Sequence, residues 1–170
     1  MPFEDDLLAF LHDNHSLVLA GVGSDIRRDD KVGVLIVSRL KGRLPTKVKL
    51  INCGIVPENF TGQIKKLRPT HIIFFDAVEM GKEPGFYDFV DEETLIAQSL
   101  STHKQSLRML LQVLKEGIPG VRIRLVGIQP KTTDFGKGLS RPVGRGLNAL
   151  LRVLIKTIGR GVLEDDRVEV

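Results

Sequence analysis

The sequence predicts an α/β protein, a three-layer α/β/α sandwich around a mostly parallel twisted sheet, and three observations predict it. Four short apolar runs bounded by turn residues alternate with segments of helical periodicity. Such alternation implies right-handed crossovers and a sheet covered on both faces. The residues that follow the runs are glycine-rich and carry acids and amides, as expected at the ligand-binding edge of a parallel sheet. With 170 residues, 42% of them hydrophobic, the chain can bury roughly 70% of its unfolded surface without a disulfide or metal staple. It reads as a single domain, with a core at 17–158, an N-terminal helix within 1–16 and a C-terminal tail at 159–170.

Residues 4–13 have the period of an amphipathic helix, with Leu7, Leu8 and Leu11 on one face. Strands are predicted at 17–22 ("LVLAGV"), 47–53 ("KVKLINC"), 71–76 ("HIIFFD") and 121–128 ("VRIRLVGI"). Residues 32–41 are apolar almost all round, as in a helix buried between layers. Residues 57–67 open with Pro57 in a first turn and place Phe60, Ile64 and Leu67 on one stripe. The segment "GFYDFVDEETL" predicts a short antiparallel strand and then a helix near 91–100. Two long stripes follow: Leu107, Leu110, Leu111, Leu114 and Ile118, then Val143, Leu147, Leu150, Leu151, Leu154, Ile155 and Ile158. The ending "EDDRVEV" reads as solvated.

The composition narrows the function. One cysteine excludes an internal disulfide, the first ten residues are acidic where a secretory signal would be basic, and no apolar stretch approaches the ~20 residues of a membrane span. A cytoplasmic protein without membrane insertion is expected. The net charge of +4 is spread over helical segments, and one tyrosine with no tryptophan offers no stacking platform, so nucleic acid is not an expected partner. No apolar stripe is left over, which predicts a monomer.

The turn "GVGSDIRRDDKVG" at 21–33 begins like a dinucleotide fingerprint but has Ile26 where the third glycine belongs. Three aspartates at a helix start would also repel a pyrophosphate. A helix cap accounts for one of them, Asp29; a run of three suits a cation. Asp76 ends a strand that should be central and buried, where a carboxylate needs a partner. His103, in "LSTHKQSL", precedes a strong helix and falls on the same edge. Asp30, Asp76 and His103 together would offer two carboxylates and an imidazole with open positions, a set suited to Zn, Ni, Mn or Fe. Cys53 and His103 could instead form a thiol nucleophile and its base, against the plainer reading of Cys53 as a small buried hydrophobe. His12 and His15 read as surface residues, and His71 lies at the far end of its strand from Asp76.

Through "GVGSDIRRDDKVG", "PENF", "LRPTHIIFFDAVEMGKEPG", "STHKQSL" and "LVGIQP", in that order, the chain from about 17 to 158 resembles the hydrogenase maturation endopeptidases, which trim the large subunit of nickel-iron hydrogenases. It is most similar to the branch serving hydrogen-evolving hydrogenases. The resemblance implies that Asp30, Asp76 and His103 are the metal-contacting and catalytic residues, and that Asn52, Gly54 and Gln129 meet the substrate. It also implies that nickel arrives with the immature large subunit as substrate, with another divalent ion as the alternative occupant of the resting protein, and that a C-terminal extension is cut off. Three positions depart from the family's usual pattern: Ser24 and Lys31 in the glycine turn, and Asn52 where an aspartate is usual. Asn52 leaves open a non-catalytic module that checks nickel or chaperones the large subunit. The glycine-rich segment "KTTDFGKGLSRPVGRG" would overlie the same edge, as a mobile substrate-gripping loop or as a plain surface connection.

Overall fold

Six consecutive buried residues, Leu17–Val22, form strand β1 and lie inside a five-stranded sheet. The computed structural model describes residues 2–97 and 102–165. Strands β2 (Lys49–Gly54), β3 (His71–Ala77) and β5 (Arg122–Ile128) run parallel to β1, and β4 (Tyr87–Val90) pairs antiparallel with β5 at one edge. The order is β2-β1-β3-β5-β4. β1 and β3 are buried along their whole length, and β2 at the other edge alternates between exposed and buried positions. That contrast is why the first and third strands read as unbroken apolar runs.

Alternation along the strands sorts the core into two halves. Leu17 and Leu19 of β1 and Ile73, Phe75 and Ala77 of β3 pack against α1 (Pro2–Leu11), α2 (Val32–Leu40) and α6 (Arg141–Asp165). Val18, Ala20 and Val22, with Ile72 and Phe74, face α3 (Thr61–Leu67), α4 (Glu92–Ala97) and α5 (Thr102–Gly117). The three-layer sandwich follows. The chain therefore leaves β1 toward one face through α2 and leaves β3 toward the other through α4 and α5. Adjacent strands whose crossovers diverge open a crevice beyond their carboxyl ends, the ligand-binding position of such sheets.

Helix α2 sits unusually close to the strands. A Cβ on Gly33 would collide with the carbonyl oxygens of Val22 and Phe75, so only glycine lets the first turn of α2 lie on the ends of β1 and β3. Several predicted elements change in detail. Leu8 is 46% exposed, and Phe3 and Phe10 join Leu7 and Leu11 on the buried face of α1. Pro57 opens a turn of 3-10 helix, Pro57–Phe60, before α3 begins at Thr61. A second 3-10 turn, Arg28–Lys31, precedes α2. Helix α6 continues to Asp165, into the predicted tail; residues 166–170 and the end of the helix predicted near 91–100 lie outside the described residues.

At the amino-terminal edge, His71 is buried under α1, with its ring edge-on to Phe10 at 5.0 Å and Nδ1 2.9 Å from the Thr70 hydroxyl. Burial, reinforced by Arg122, lowers its pKa below the ordinary 6.5. The folded state therefore favours the neutral ring, and the stability linked to His71 is full above pH 6.5 and is lost as pH falls through the lowered value. Thermal melts between pH 7.5 and 5 are expected to show a falling midpoint in the wild type and a flatter profile in His71→Leu. Gly33→Ala is expected to lower stability by about 1–3 kcal/mol through overpacking, read from the urea midpoint.

Candidate functional site at the carboxyl edge

The crevice is built from the turn that follows β1. Gly23, at φ +148°, packs so tightly that a Cβ would meet the Asp30 carbonyl oxygen, and its N–H donates to the Gly54 carbonyl at 2.9 Å. The next residue, Ser24, donates its backbone N–H to Asp30 Oδ2 at 3.0 Å. Asp30 is 5% exposed and lies in the Arg28–Lys31 turn, which packs against β3. Asp76 is fully buried on β3, opposite Gly127 of β5. By alternation with Ile72 and Phe74 it belongs to the face covered by α4 and α5. The two acids thus come from elements that pack together, the turn after β1 and the end of β3.

Asp29 does something the sequence did not reveal. Neither the 3-10 turn nor α2 has a side-chain cap, so Asp29 is not the predicted helix cap. Its carboxylate is fully buried and accepts four hydrogen bonds from a segment more than 100 residues away. Oδ2 receives the N–H of Lys131 at 2.9 Å, the N–H of Thr132 at 3.1 Å and the Ser140 hydroxyl at 2.8 Å, and Oδ1 receives the Ser140 N–H at 2.7 Å. The Asp29 N–H donates in return to the Thr132 carbonyl at 3.2 Å. The segment that reads as either a mobile loop or a plain surface connection is held at both ends by one side chain. Adjacent acids take different partners: Asp29 the distant 131–140 segment, Asp30 the nearby Ser24 N–H.

The remaining predicted site residues fall as follows. His103 occupies the second position of α5, and its side chain lies outside the described residues. The first turns of α5 sit at the carboxyl edge, where the Ser106 hydroxyl meets Glu58 Oε1 at 3.3 Å. Asn52 is exposed at the end of β2, and its Oδ1 accepts the Gly54 N–H at 2.9 Å, closing the turn in which Gly54 takes φ +53°. Gln129 is nearly buried and spends its amide on the loop after β3: Oε1 accepts the N–H groups of Met80 and Lys82, and Nε2 donates to Glu79 Oε1 and to the Pro130 carbonyl. It shapes the wall of the crevice from behind. Cys53 points into the core beside Val18, Ala20 and Phe74, and burial pushes its thiol pKa up to about 12. A thiol held neutral there is no nucleophile at physiological pH, which removes the Cys53 and His103 hydrolase.

Buried carboxylates are, as a class, able to attract a cation and to take up a proton. Among the described residues, no group of three or more His, Cys, Asp or Glu gathers closely enough to hold a metal ion.

The sheet order and the layers on both its faces define a doubly wound α/β fold, and comparison with known proteins places it in a family. Residues 34–157 match the family model of HycI, the hydrogenase maturation protease. A Methanocaldococcus jannaschii protein bearing the hydrogenase maturation protease name is 34% identical over 160 residues, covering 89% of this chain and 94% of its own. The hydrogenase 3 maturation protease of Escherichia coli is 29% identical over 145 residues, covering 85% and 92%. The crystal structure of the [NiFe] hydrogenase maturation protease HycI from Thermococcus kodakarensis superposes with a TM-score of 0.81 at 30% identity, covering 90% of this chain and 98% of that one. The chain belongs to the hydrogenase maturation protease family.

Asp29→Ala would strand three backbone N–H groups and a hydroxyl. A loss on the order of 3 kcal/mol is expected in urea unfolding. Cys53→Ala is expected to lower stability by about 1 kcal/mol and to leave proteolysis unchanged, checked by the rate of precursor cleavage.

Proposed function

We propose that this protease is an endopeptidase that removes the C-terminal extension of a nickel-loaded hydrogenase large-subunit precursor, contacting the substrate's nickel through Asp30, Asp76 and His103. Supporting the reading are two buried carboxylates, Asp30 and Asp76, carried by a turn and a strand that pack together beside the point where the crossovers of β1 and β3 diverge. Carboxylate oxygens and an imidazole nitrogen are donors that nickel accepts. A donor set that is completed by the substrate makes metal occupancy a condition of productive docking, so the protease discriminates loaded from empty precursor.

The chemistry asked of the protein is modest. The nickel-bearing precursor is oriented by the two carboxylates so that its scissile peptide lies across the carboxyl edge, within reach of water. Attack on the carbonyl is aided by Lewis-acid polarisation, and a carboxylate in the crevice takes up the proton released from water. Asp29, Gln129 and the Gly23–Gly54 hydrogen bond hold the surrounding loops in place, so that little reorganisation is needed on binding.

Asn52 favours one other reading, a protein that checks nickel without cutting. Its Oδ1 already accepts the Gly54 N–H, a bond that an aspartate would make equally well. Intact mass spectrometry of nickel-loaded and nickel-free precursors incubated with the protein separates the two. The expected outcome is loss of a C-terminal peptide from the loaded form alone, slowed roughly 100-fold or more by Asp30→Asn or Asp76→Asn. Binding without cleavage, together with activity gained by Asn52→Asp, would establish the checkpoint reading instead.

A further inference from the structure

Beside the crevice lies a surface that neither the catalytic residues nor the core explains. The structure assigns it as a preformed docking platform for the precursor polypeptide, built for an apolar segment flanked by acidic residues. This rests on the precursor being the substrate, as proposed above.

Two large apolar side chains stand in solvent there, Phe135 at 68% and Ile26 at 63% exposure. They come from loops that are distant in sequence but joined in space. The Gly136 N–H donates to the Ile26 carbonyl at 3.0 Å and the Arg28 N–H to the Gly136 carbonyl at 3.2 Å, forming a parallel bridge between residues 27 and 136. Ile26 and Phe135 therefore each lie next to a bridging residue. The Arg27 guanidinium stacks over the Phe135 ring at 4.4 Å, holding the ring on the outer surface.

The platform is rigid for a reason visible below it. The four hydrogen bonds to the Asp29 carboxylate fix residues 131, 132 and 140, and Arg28 is held at φ +38°, a left-handed conformation that a non-glycine residue adopts only when its surroundings impose it. Exposed aromatic and aliphatic side chains on a pre-ordered backbone are the composition of a binding hot spot, because little conformational freedom is lost on contact. The turn that fixes this platform is also the turn that carries Asp30. A chain seated on Ile26 and Phe135 is thus adjacent to the crevice.

Charge specifies the occupant further. The exposed charged side chains of residues 25–28 and 131–141 are Arg27, Arg28, Lys131, Lys137 and Arg141 against Asp25 and Asp134. Asp134 accepts a hydrogen bond from the Thr132 hydroxyl at 2.9 Å. An excess of cations around an apolar centre complements an apolar segment with carboxylates at its flanks, and repels a basic one.

The test uses the purified nickel-loaded precursor of a large subunit from the same source. Steady-state cleavage is measured for the wild type, for Ile26→Ser with Phe135→Ser, and for Lys131→Glu with Lys137→Glu, after matching thermal midpoints show that all are folded. The platform is upheld if the apolar double variant raises KM about tenfold with kcat unchanged, and if the charge variant raises KM several-fold and flattens its salt dependence. An unchanged KM in the apolar variant overturns it, as does a fall in kcat alone. If the wild type cleaves no loaded precursor, the endopeptidase reading fails by itself. Direct binding of the same precursor then decides the platform: binding lost in the apolar variant upholds it, and binding that is equal in both proteins, or absent from both, overturns it.

Discussion

The close seating of helix α2 on the ends of β1 and β3 is the constraint on which the rest of the molecule depends. A helix normally stands off a sheet by the thickness of its side chains. Here Gly33 lets the helix backbone meet the carbonyl oxygens of Val22 and Phe75, and Gly23 lets the strand end meet the backbone of Asp30. The turn that joins strand to helix is pressed down into the space between diverging crossovers. Its acids are buried as a result, and burial obliges each to find partners. Asp29 finds four hydrogen-bond donors in the distant 131–140 segment, and Asp30 receives Ser24 and faces the crevice.

The site is thereby assembled in layers of decreasing rigidity. The sheet fixes Asp76. The glycine contacts fix the Asp30 turn against it. Asp29 and Gln129 then fix the loops after β5 and β3, each by spending a whole polar side chain on backbone groups. Outside these stand the exposed side chains that have no part in the core. On the proposed reading, a polypeptide substrate approaching the edge would meet loops already tied by hydrogen bonds, leaving binding energy for orientation rather than for ordering them.

Much of this was legible in the sequence. The strands at 17–22 and 71–76 announced themselves because both faces are buried, and the edge strand at 87–90 was visible as a brief alternation. Asp76 could be picked out as a carboxylate at the end of an apolar run, and Asp30 as one of three aspartates in a glycine-rich turn. What could not be read was any bond made across the fold. Nothing local distinguishes Asp29 from its neighbours; its role is defined by Lys131, Thr132 and Ser140, and no periodicity links those positions. The same blindness left the 131–140 segment undecided between a mobile loop and a plain surface connection, since the anchoring carboxylate is absent from the segment itself. Likewise unreadable were the bonds of the Gln129 amide to the loop after β3. Leu8 was misplaced for a simpler reason: on α1 the aromatic residues Phe3 and Phe10 took the buried face.

The bond between Asp29 and Ser140 spans 111 residues, and that separation has a consequence in time. On a ribosome, chain emerges from the amino terminus, so β1 and the acidic turn are made long before the residues that lock the turn in place. Contacts of such long range form late in folding, after the cost of closing a large loop has been met. Until Ser140 and the start of α6 have been synthesised, the acidic turn is held only by its glycine contacts with the strand ends and lacks the four bonds to Asp29.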